Sequence, residues 1–339
     1  MTTLNQLFVV DRGNSGDKVQ YNRMNFYLPA AVTEDFTPLI NGNILPEPGN
    51  RKPIDNIRVI VNGKPFKVGA LAMSELSWRS PVGMNRYSHE NFADVLTAAT
   101  LSHAGASGEI AIVTGLPVDD YSEANKQVVK NHFMGKHRIE VPQRRGKPKA
   151  ETVIVTSVNV IPETLGTYYN LLLDNGGQVN PDYTGRIGLI DVGRYTACLV
   201  VIDGGKYDAT HSQTTKFGMQ EVHNQFSTMI HQSTGYRIPL EKTTEIFNSG
   251  QMRWQGGQTD VSAFRDAAIQ SVTQSLINVA SSVWQDAKNF DYIGVTGGAA
   301  HLYHPTIITA YTQAVLVENA VMANCWGMHK WGKVALCQK

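Results

Sequence analysis

The chain has 339 residues, which at roughly 150 residues per domain predicts two domains or one large bilobal unit. Its 30 Lys and Arg nearly balance its 29 Asp and Glu, and a net charge of +1 argues against a general electrostatic affinity for nucleic acid or anionic membranes. A composition of 42% hydrophobic and 17% charged residues excludes a disordered chain, and no apolar run approaches the roughly 18 residues that a membrane span requires.

Short apolar runs and turns predict an N-terminal region built mostly of strands. Residues 7–11 (LFVVD) predict a buried strand that ends in an acid and enters a polar glycine loop, RGNSGDK. Turn signals crowd residues 21–85, where the Asn62-Gly63 pair predicts a hairpin within IRVIVNGKPFKVG. Residues 89–104 have the apolar spacing of a helix, and EIAIVTGLP predicts the buried strand that follows.

The middle of the chain alternates predicted helices and strands. Helical spacing is found at 121–134. The stretch 136–149 holds six basic residues and one acid, and its glycine and prolines predict a loop. TVIVTSVNVIP then predicts a long strand, followed by a helix with Pro162 in its first turn and Gly176 just past its end.

The last part of the chain begins much as the first part does. RIGLIDVGRYTACLVVIDGGKY predicts a hairpin, and FDYIGVTGGAAHLY predicts a strand that runs into a glycine turn. Apolar periodicity predicts helices at 216–233, 261–288 and 308–330. Both halves therefore start with an apolar strand that ends in Asp-x-Gly, at Asp11 and at Asp191, a weak internal repeat about 180 residues apart.

The two loops that follow these strands are candidate phosphate-binding sites. Backbone N–H groups of a glycine loop donate to phosphate oxygens, a strand-terminal carboxylate can hold Mg²⁺ through water, and a lysine supplies a point charge. Ordinary hairpin turns use the same residue types, so one such loop is ambiguous. Two copies in register favour phosphate binding from both halves. The candidates are Asp11, Gly13, Asn14, Ser15, Gly16, Asp17 and Lys18 in the first loop and Asp191, Gly193, Arg194, Tyr195 and Thr196 in the second.

Two further motifs add candidate residues. Gly297 and Gly298 follow the apolar run YIGV, and adjacent glycines let the backbone approach a ligand closely, although a tight turn also requires glycine. Glu163 stands at a predicted helix start, where an acid stabilises the helix dipole. In a phosphoryl-transfer enzyme the same residue could orient or deprotonate the attacking water.

These motifs, in this order, resemble those of the actin, heat-shock chaperone and sugar kinase superfamily. LFVVDRGNSGDK resembles its first phosphate loop, IGLIDVGRYTACLVVIDGG its second, and IGVTGGAAHL its adenosine motif, while VIPETLGTYY and ENAVMANCWGMHKWG resemble its connecting helices. The resemblance implies an α/β, actin-like fold with two ribonuclease-H-like halves around a nucleotide cleft. Domain I would comprise residues 1–163 and 310–339, with a small inserted subdomain at about 21–85, and domain II residues 164–309.

Within the superfamily, the chain resembles bacterial and archaeal actin-like proteins of the plasmid-segregation (ParM-like) type. The length suits a bare actin core, the Pro-Glu pair at 162–163 stands where those proteins place their water-orienting glutamate, and the ending resembles their Ala-Asn-x-x-Gly helix. A chaperone would need a peptide-binding domain, and glycerol-type sugar kinases are much longer. The shorter sugar kinases usually show a cysteine-rich zinc loop, which this sequence lacks.

The resemblance also implies a role for each candidate residue. Asp11 and Asp191 would hold Mg²⁺ through water, and Glu163 would polarise the attacking water. Lys18 and the backbones of the two loops would contact the phosphates. The nucleoside would be bound by Gly297, Gly298, Ala299, Glu245 and Asn248. The family often has a lysine where Asn248 stands.

The resemblance implies an ATPase that uses Mg²⁺ with ATP or GTP and polymerises head to tail into filaments. Such filaments would segregate plasmid or phage DNA through a DNA-binding adaptor protein in the cytoplasm, with no direct contact to nucleic acid or membrane. Three widely spaced cysteines are typical of that reducing compartment. The alternatives are a small-molecule kinase of the same superfamily and a non-polymerising ATPase switch. A kinase would need a further carboxylate base, which the motifs do not supply.

Overall fold

The chain forms two compact units in the computed structural model. The first unit comprises Met1–Val179 and Asn324–Lys339, and the second comprises Asn180–Ala323. The residues that the structure describes are 6–36, 39–40, 43–44, 52–75, 78–80, 83–88, 92–143 and 146–337. Among the helices of this described part, none is both long and apolar enough to cross a membrane.

The borders of these units differ from the domain boundaries expected after residues 163 and 309. Residues 164–179 lie in the first unit, because the helix they contain packs closely on the C-terminal helix of that unit. Residues 310–323 lie in the second unit, because they add a parallel strand to its sheet.

The bounds of the strands and helices follow in chain order. The first unit contains β1 Leu7–Arg12, β2 Gly16–Tyr21, β3 Met24–Pro29, β4 Val32–Glu34, β5 Leu39–Ile40, β6 Asn43–Ile44, β7 Ile57–Val61, β8 Lys64–Val68, α1 Ala70–Met73, α2 Ala93–His103, β9 Gly108–Leu116, α3 Glu123–Phe133, β10 Gly135–Val141, β11 Lys149–Pro162 and α4 Leu165–Leu172. Then come β12 Arg186–Val192, β13 Ala197–Asp203, β14 Lys206–Thr215, α5 Met219–Thr234, α6 Leu240–Ser249, β15 Gln251–Trp254, β16 Gly257–Asp260, α7 Ser262–Val283, β17 Tyr292–Thr296, α8 Ala300–Ala310, β18 Ala314–Leu316 and α9 Ala323–Cys337.

The first unit is organised around one mixed sheet with the strand order β3-β2-β1-β9-β11-β10-β7-β8-β4. Strand β1 pairs antiparallel with β2 and parallel with β9, and β9 pairs parallel with β11. The central strands are buried along most of their length, as expected for strands with helices on both faces. Strands β7, β8 and β4, from the expected insertion at 21–85, have an apolar cluster of their own together with α2. Part of that insertion lies outside the described residues.

The second unit repeats the central arrangement of the first. Its five-stranded sheet has the order β14-β13-β12-β17-β18, with an antiparallel β12–β13 hairpin and parallel β12–β17 and β17–β18 pairs. This is the same order and direction as β3-β2-β1-β9-β11. Helices α5, α7 and α8 cover it through an apolar cluster centred on Phe226, Leu276 and Tyr303. The Asp-x-Gly repeat in the sequence thus corresponds to a repeated set of five strands.

Local signals account for several element ends. The predicted hairpin at 57–68 is confirmed, with Asn62 and Gly63 both at positive φ in its two-residue turn. Helix α3 begins after Ser122, whose side chain accepts a hydrogen bond from the Asn125 backbone N–H. Helix α5 ends at Thr234 and is followed by Gly235, whose φ of +73° is accessible to glycine at little cost.

The prediction of a loop at 136–149 is wrong for half of that segment. Strand β10 occupies its first part and pairs antiparallel with β11 over seven residue pairs, from Gly135 with Val155 to Val141 with Lys149. Ile139 is buried beneath the sheet, whereas the basic side chains between the glycine and the valine lie largely on the exposed face. A strand can carry charged side chains on one face while its other face is buried. The number of basic residues alone does not reveal this alternation of exposed and buried positions. Residues 144 and 145 lie outside the described residues.

Two predicted helix limits are also wrong. Pro162 is the last residue of β11 and not part of the first turn of α4, which begins at Leu165. The single helix predicted at 308–330 is divided: α8 ends at Ala310, β18 pairs in parallel with β17, and α9 begins at Ala323. Tertiary pairing of the short β18 overrides the helical spacing of its apolar residues.

Candidate functional site

The first candidate loop is a three-residue turn between β1 and β2. Its ends are joined by a hydrogen bond from the Gly13 N–H to the Gly16 carbonyl, 3.0 Å long. The Ser15 carbonyl accepts hydrogen bonds from the Ala30 N–H (3.0 Å) and the Tyr27 hydroxyl (2.7 Å), so it is occupied by structural contacts. A Cβ at Gly16 would overlap the Leu28 carbonyl and the Tyr27 ring, and this explains the glycine.

Asp11 and Lys18 face each other across this hairpin. The Lys18 Nζ donates to Asp11 Oδ2 at 2.9 Å, and the aspartate side chain is 1% exposed. The other carboxylate oxygen, Oδ1, is buried and has no hydrogen-bond partner among the described residues. A buried carboxylate oxygen without such a partner is suited to an added ligand, and carboxylate oxygens suit water-coordinated Mg²⁺.

Arg12 and Asp17 form a second, fully buried pair in the same hairpin. The guanidinium binds the carboxylate through Nε and Nη2, with the Nη2–Oδ2 distance at 2.9 Å and side-chain exposures of 1% and 0%. Burial raises the pKa of Asp17, and Arg12 opposes that effect. Because the Asp17 carboxylate is occupied by Arg12, only its backbone remains for the predicted phosphate contact. The sequence leaves two alternatives for Arg12, an added positive charge at the nucleotide site or an outward direction. The outward direction is wrong, because the side chain is 1% exposed; the other alternative stays a prediction.

Arg12 extends this pair into a network that sequence reasoning missed. Its Nη1 donates to the Arg86 carbonyl at 3.3 Å and lies 3.2 Å from His132 Nε2, which is also 2.8 Å from the Thr97 hydroxyl. Asn14, a predicted phosphate contact, accepts a hydrogen bond from the Gly83 N–H at 2.8 Å through its Oδ1. The loop is thereby tied to the turn that contains Gly83 and Arg86. The sequence feature that could have indicated this network is Arg12 itself. It stands beside the strand-terminal acid and opposite Asp17 across the hairpin.

Glu163 lies at the same edge of the first sheet as Asp11. Strands β1, β9 and β11 are parallel, so the residues that follow their carboxyl ends gather at one edge. The Glu163 N–H donates to the Leu116 carbonyl at 2.7 Å, and its own carbonyl accepts from the Gly166 N–H at 2.9 Å. The backbone of this half-buried residue is therefore fixed between the strand and the following helix.

Helix α4 begins just after Glu163 and is held by α9. Asn324 Oδ1 accepts hydrogen bonds from the Thr167 N–H (3.1 Å) and the Thr167 hydroxyl (2.7 Å), and so satisfies a free donor of the α4 N-terminus. A Cβ at Gly166 or at Gly327 would overlap the backbone of the opposite helix. The Ala-Asn-x-x-Gly sequence therefore serves as a helix-capping and close-packing motif that positions the segment after Glu163.

The second candidate loop has the same closure as the first. The Gly193 N–H donates to the Thr196 carbonyl at 2.9 Å. The Gly193 and Arg194 carbonyls accept from the Met219 N–H (3.1 Å) and the Gln220 N–H (2.7 Å), which ties the loop to the start of α5. The exposed Arg194 guanidinium lies 5.2 Å from the centroid of the Tyr195 ring, a distance typical of cation–π contact.

Asp191 and the predicted adenosine motif come together in the second unit. Asp191 pairs with Thr296 across the parallel β12–β17 ladder, and it is 9% exposed. A Cβ at Gly297, whose φ is +93°, would overlap Asp191 Oδ1. Gly298 faces open space, and the Ala299 N–H donates to the Val192 carbonyl at 3.1 Å.

Glu245 and Asn248 are not tied to these loops by any contact in the described part of the chain. They lie three residues apart on α6, and both side chains are exposed. The opposite face of that helix is buried through Ile246 and Phe247. Their assignment to the nucleoside remains a prediction.

Two family models match consecutive parts of the sequence. Residues 10–166 match the N-terminal domain of actin-like proteins, and residues 189–308 match the C-terminal domain of archaeal, MreB-like actin homologues. The chain belongs to the actin-like proteins. Every candidate residue of this actin-like protein lies within one of the two matched ranges.

Solved structures of other actin-like proteins have the same fold. The archaeal actin homolog Ta0583 superposes with a TM-score of 0.80 at 18% identity over 98% of this chain and 100% of that one. ParM in a 15-stranded filament from Clostridium botulinum has a TM-score of 0.76 at 22% identity over 97% and 99%. A complex of Ta0583 with ADP has a TM-score of 0.75 at 17% identity over 98% and 100%. No curated protein matches this chain in sequence. The expected actin-like α/β fold is thus confirmed.

Proposed function

We propose that this protein is a Mg²⁺-dependent nucleoside triphosphatase. The observation that carries the proposal is the duplicated hairpin, in which an acid at the end of a strand adjoins a closed glycine loop, at Asp11 and again at Asp191. Backbone donors of both loops bind phosphate oxygens, and both acids hold Mg²⁺ through water. The ADP complex of the fold relative Ta0583 supports a nucleotide ligand.

The first unit supplies the groups for hydrolysis. Lys18, already paired with Asp11, contributes positive charge beside the phosphates. Glu163 orients the attacking water and accepts its proton while the new oxygen–phosphorus bond forms and the β,γ-bridging bond breaks, giving nucleoside diphosphate and inorganic phosphate. When bound, Mg²⁺ supplies charge neutralisation on the phosphate oxygens.

The same proposal includes assembly into filaments. A head-to-tail contact joins unlike surfaces of identical subunits. When its rotation does not close a ring, the contact repeats and the subunits extend as a helical filament. The ParM filament from Clostridium botulinum supports this mode for a protein of the same fold. Hydrolysis limits filament lifetime because subunit contacts differ between the triphosphate and diphosphate states. We extend the proposal to segregation of plasmid or phage DNA in the cytoplasm, through a DNA-binding adaptor.

Light scattering recorded together with phosphate release tests this function. Mg-ATP, Mg-GTP or Mg-ADP is added to the purified protein, with Asp11→Asn as the matched variant. Scattering should rise with a triphosphate and decay as phosphate accumulates, and the variant should do neither. Hydrolysis without scattering over a wide protein concentration would contradict filament formation, and absence of both would contradict the proposal as a whole.

The adaptor has a test of its own. Filaments formed with triphosphate should not sediment with bare plasmid DNA at physiological salt, because a net charge of +1 supplies little counterion release. Sedimentation of the DNA with the filaments alone would contradict the need for an adaptor.

A further inference from the structure

Arg86 is a buried cation whose donors are not satisfied within the described part of the chain. Its side chain is 2% exposed, and Nε and Nη2 have no hydrogen-bond partner among the described residues. A guanidinium carries its charge at every physiological pH, and leaving its N–H groups unpaired in the interior is costly. Nothing in the sequence motifs points to this residue.

The turn that contains Arg86 is held from three directions. The Arg86 carbonyl accepts a hydrogen bond from Arg12 Nη1 at 3.3 Å. The Gly83 N–H at the start of the turn donates to Asn14. The next residue, Tyr87, donates its hydroxyl to the Gly115 carbonyl at 3.3 Å, and its ring centroid lies 5.6 Å from the Arg86 guanidinium. Arg86 is therefore preorganised by the phosphate loop and by the strand end next to Glu163.

The charges around Arg86 include those of the proposed site. A Cβ at Gly115 would lie 2.9 Å from the Glu163 Cα. Gly115, whose carbonyl binds the Tyr87 hydroxyl, therefore lies against the proposed catalytic segment. Burial acts to lower the pKa of Arg86. The electrostatic effects of Tyr87, Glu163, Asp11 and Asp120 act in the opposite direction, and the pKa is raised overall.

We propose that Arg86 binds the terminal phosphate of the nucleoside triphosphate, with Nε and Nη2 donating to its oxygens. This inference rests on the proposed function. The planar guanidinium presents its donors as a fork that matches phosphate oxygens, and it would meet the charge that develops on the transferred phosphoryl group. A diphosphate lacks that group, so Arg86 distinguishes the two nucleotide states.

Affinity measurements with two nucleotides test this assignment without relying on turnover. Arg86→Lys and Arg86→Ala are titrated calorimetrically with the Mg²⁺ complexes of the β,γ-imido triphosphate and of the diphosphate. Both variants should lose roughly 10- to 100-fold in affinity for the triphosphate analogue, because charge-assisted hydrogen bonds are removed or misdirected. Affinity for the diphosphate should stay within about threefold of wild type, a difference below 1 kcal/mol.

The control is Arg23→Ala, which removes an exposed arginine from the turn between β2 and β3. It should leave both affinities unchanged. Three results would overturn the assignment. They are equal losses of affinity for the two nucleotides, no loss of affinity for either, and failure of both Arg86 variants to fold. A wild-type protein that binds neither nucleotide would instead overturn the proposed function, so the two failures are distinguishable.

Discussion

The β1–β2 and β12–β13 hairpins have the same geometry and different chemistry. In each, an aspartate stands one residue before the end of the first strand, and a glycine N–H closes the loop. The partner of Asp11 across the hairpin is Lys18, whereas the partner of Asp191 is Cys198. The next pair is Arg12 with Asp17 in the first hairpin and two apolar residues, Val192 with Ala197, in the second.

The difference continues at the fifth strand of each five-strand set. Strand β11 is followed by Glu163, and its counterpart β18 is followed by Val317, which is 3% exposed. Repetition of the fold therefore reproduces the backbone donors and the acid, but the charged side chains suited to hydrolysis occur in the first unit. We expect the first unit to perform the chemistry and the second to bind mainly through its backbone.

The largest expected effect follows from Glu163, which has no acidic counterpart in the second unit. Glu163→Ala should slow phosphate release by about 10²–10⁴-fold, because the attacking water loses its base, while nucleotide affinity is retained. Glu151→Ala, on the strand that precedes Glu163 and paired with Lys149 at the surface, is the control and should hydrolyse normally. Steady-state phosphate release with saturating nucleotide measures both, and an unaltered rate in Glu163→Ala would show that its role has been misassigned.

The buried charge pair is the next test of the comparison. Asp17→Asn leaves the Arg12 cation buried without a counter-charge and should lower the free energy of unfolding by about 3–5 kcal/mol. The double variant Arg12→Met/Asp17→Leu makes this pair apolar, as it is in the second hairpin, and should be more stable than the single variant. Urea denaturation measures both. A single variant as stable as wild type would mean that the ion pair is dispensable.

Two adjacent glycines test the crowding around Asp191. Gly297→Ala should lower the free energy of unfolding by about 1–3 kcal/mol, because its φ is +93° and the new methyl group meets Asp191 Oδ1. Gly298→Ala is the matched control and should stay within about 0.5 kcal/mol, since a Cβ there meets nothing within 4 Å. Thermal unfolding of the two variants decides the matter, and equal midpoints would count against the crowding.

The smallest effect concerns acid stability. Burial, reinforced by Lys333, lowers the pKa of His329 on α9 from its ordinary 6.5 to about 4. The unfolded chain therefore takes up this proton as the pH falls below 6.5, and the folded protein does so only near 4. Stability should fall between these values and level off below them. Allowing for partial exposure, the loss is about 1–2 kcal/mol.

Histidine variants isolate this contribution and return to the comparison of the two units. His329→Gln should flatten the decline of the free energy of unfolding between pH 6.5 and 4. In the second unit, burial first and Arg194 second also lower the pKa of His223. His223→Gln should therefore flatten the decline as well. Urea midpoints recorded across this pH range measure the slopes, and an unchanged slope in either variant would contradict the argument.

Much of the candidate site was predictable because its signals are local. Asp11, Gly13 and Lys18 stand within eight consecutive residues, and a strand–loop–strand pattern is enough to bring the acid opposite the lysine. The same holds for Asp191 and Gly193. Fragments that depend on pairing with distant strands were less predictable: β10 looked like a basic loop, and β18 looked like part of a helix.

Contacts over long sequence separations explain what the motifs could not supply. Asn324 binds Thr167 from 157 residues away, and Arg12 reaches Arg86 from 74 residues away. Such partners depend on which helix covers which face of the sheet. Arg86 stands in a turn that carries no motif, so the structure was needed to show its unsatisfied donors.

By itself, the sequence determined the strands that end in acids, the glycine loops that follow them and the family to which they belong. These features follow from residue type, spacing and chain order, and they do not depend on the packing of distant segments. The tertiary structure decided the direction of Arg12, the assignment of Asp17 to an internal ion pair and the crowding of Gly297 against Asp191. Burial and pairing are properties of several chain segments together, because a charge is stabilised or orphaned only when neighbouring elements exclude water from it.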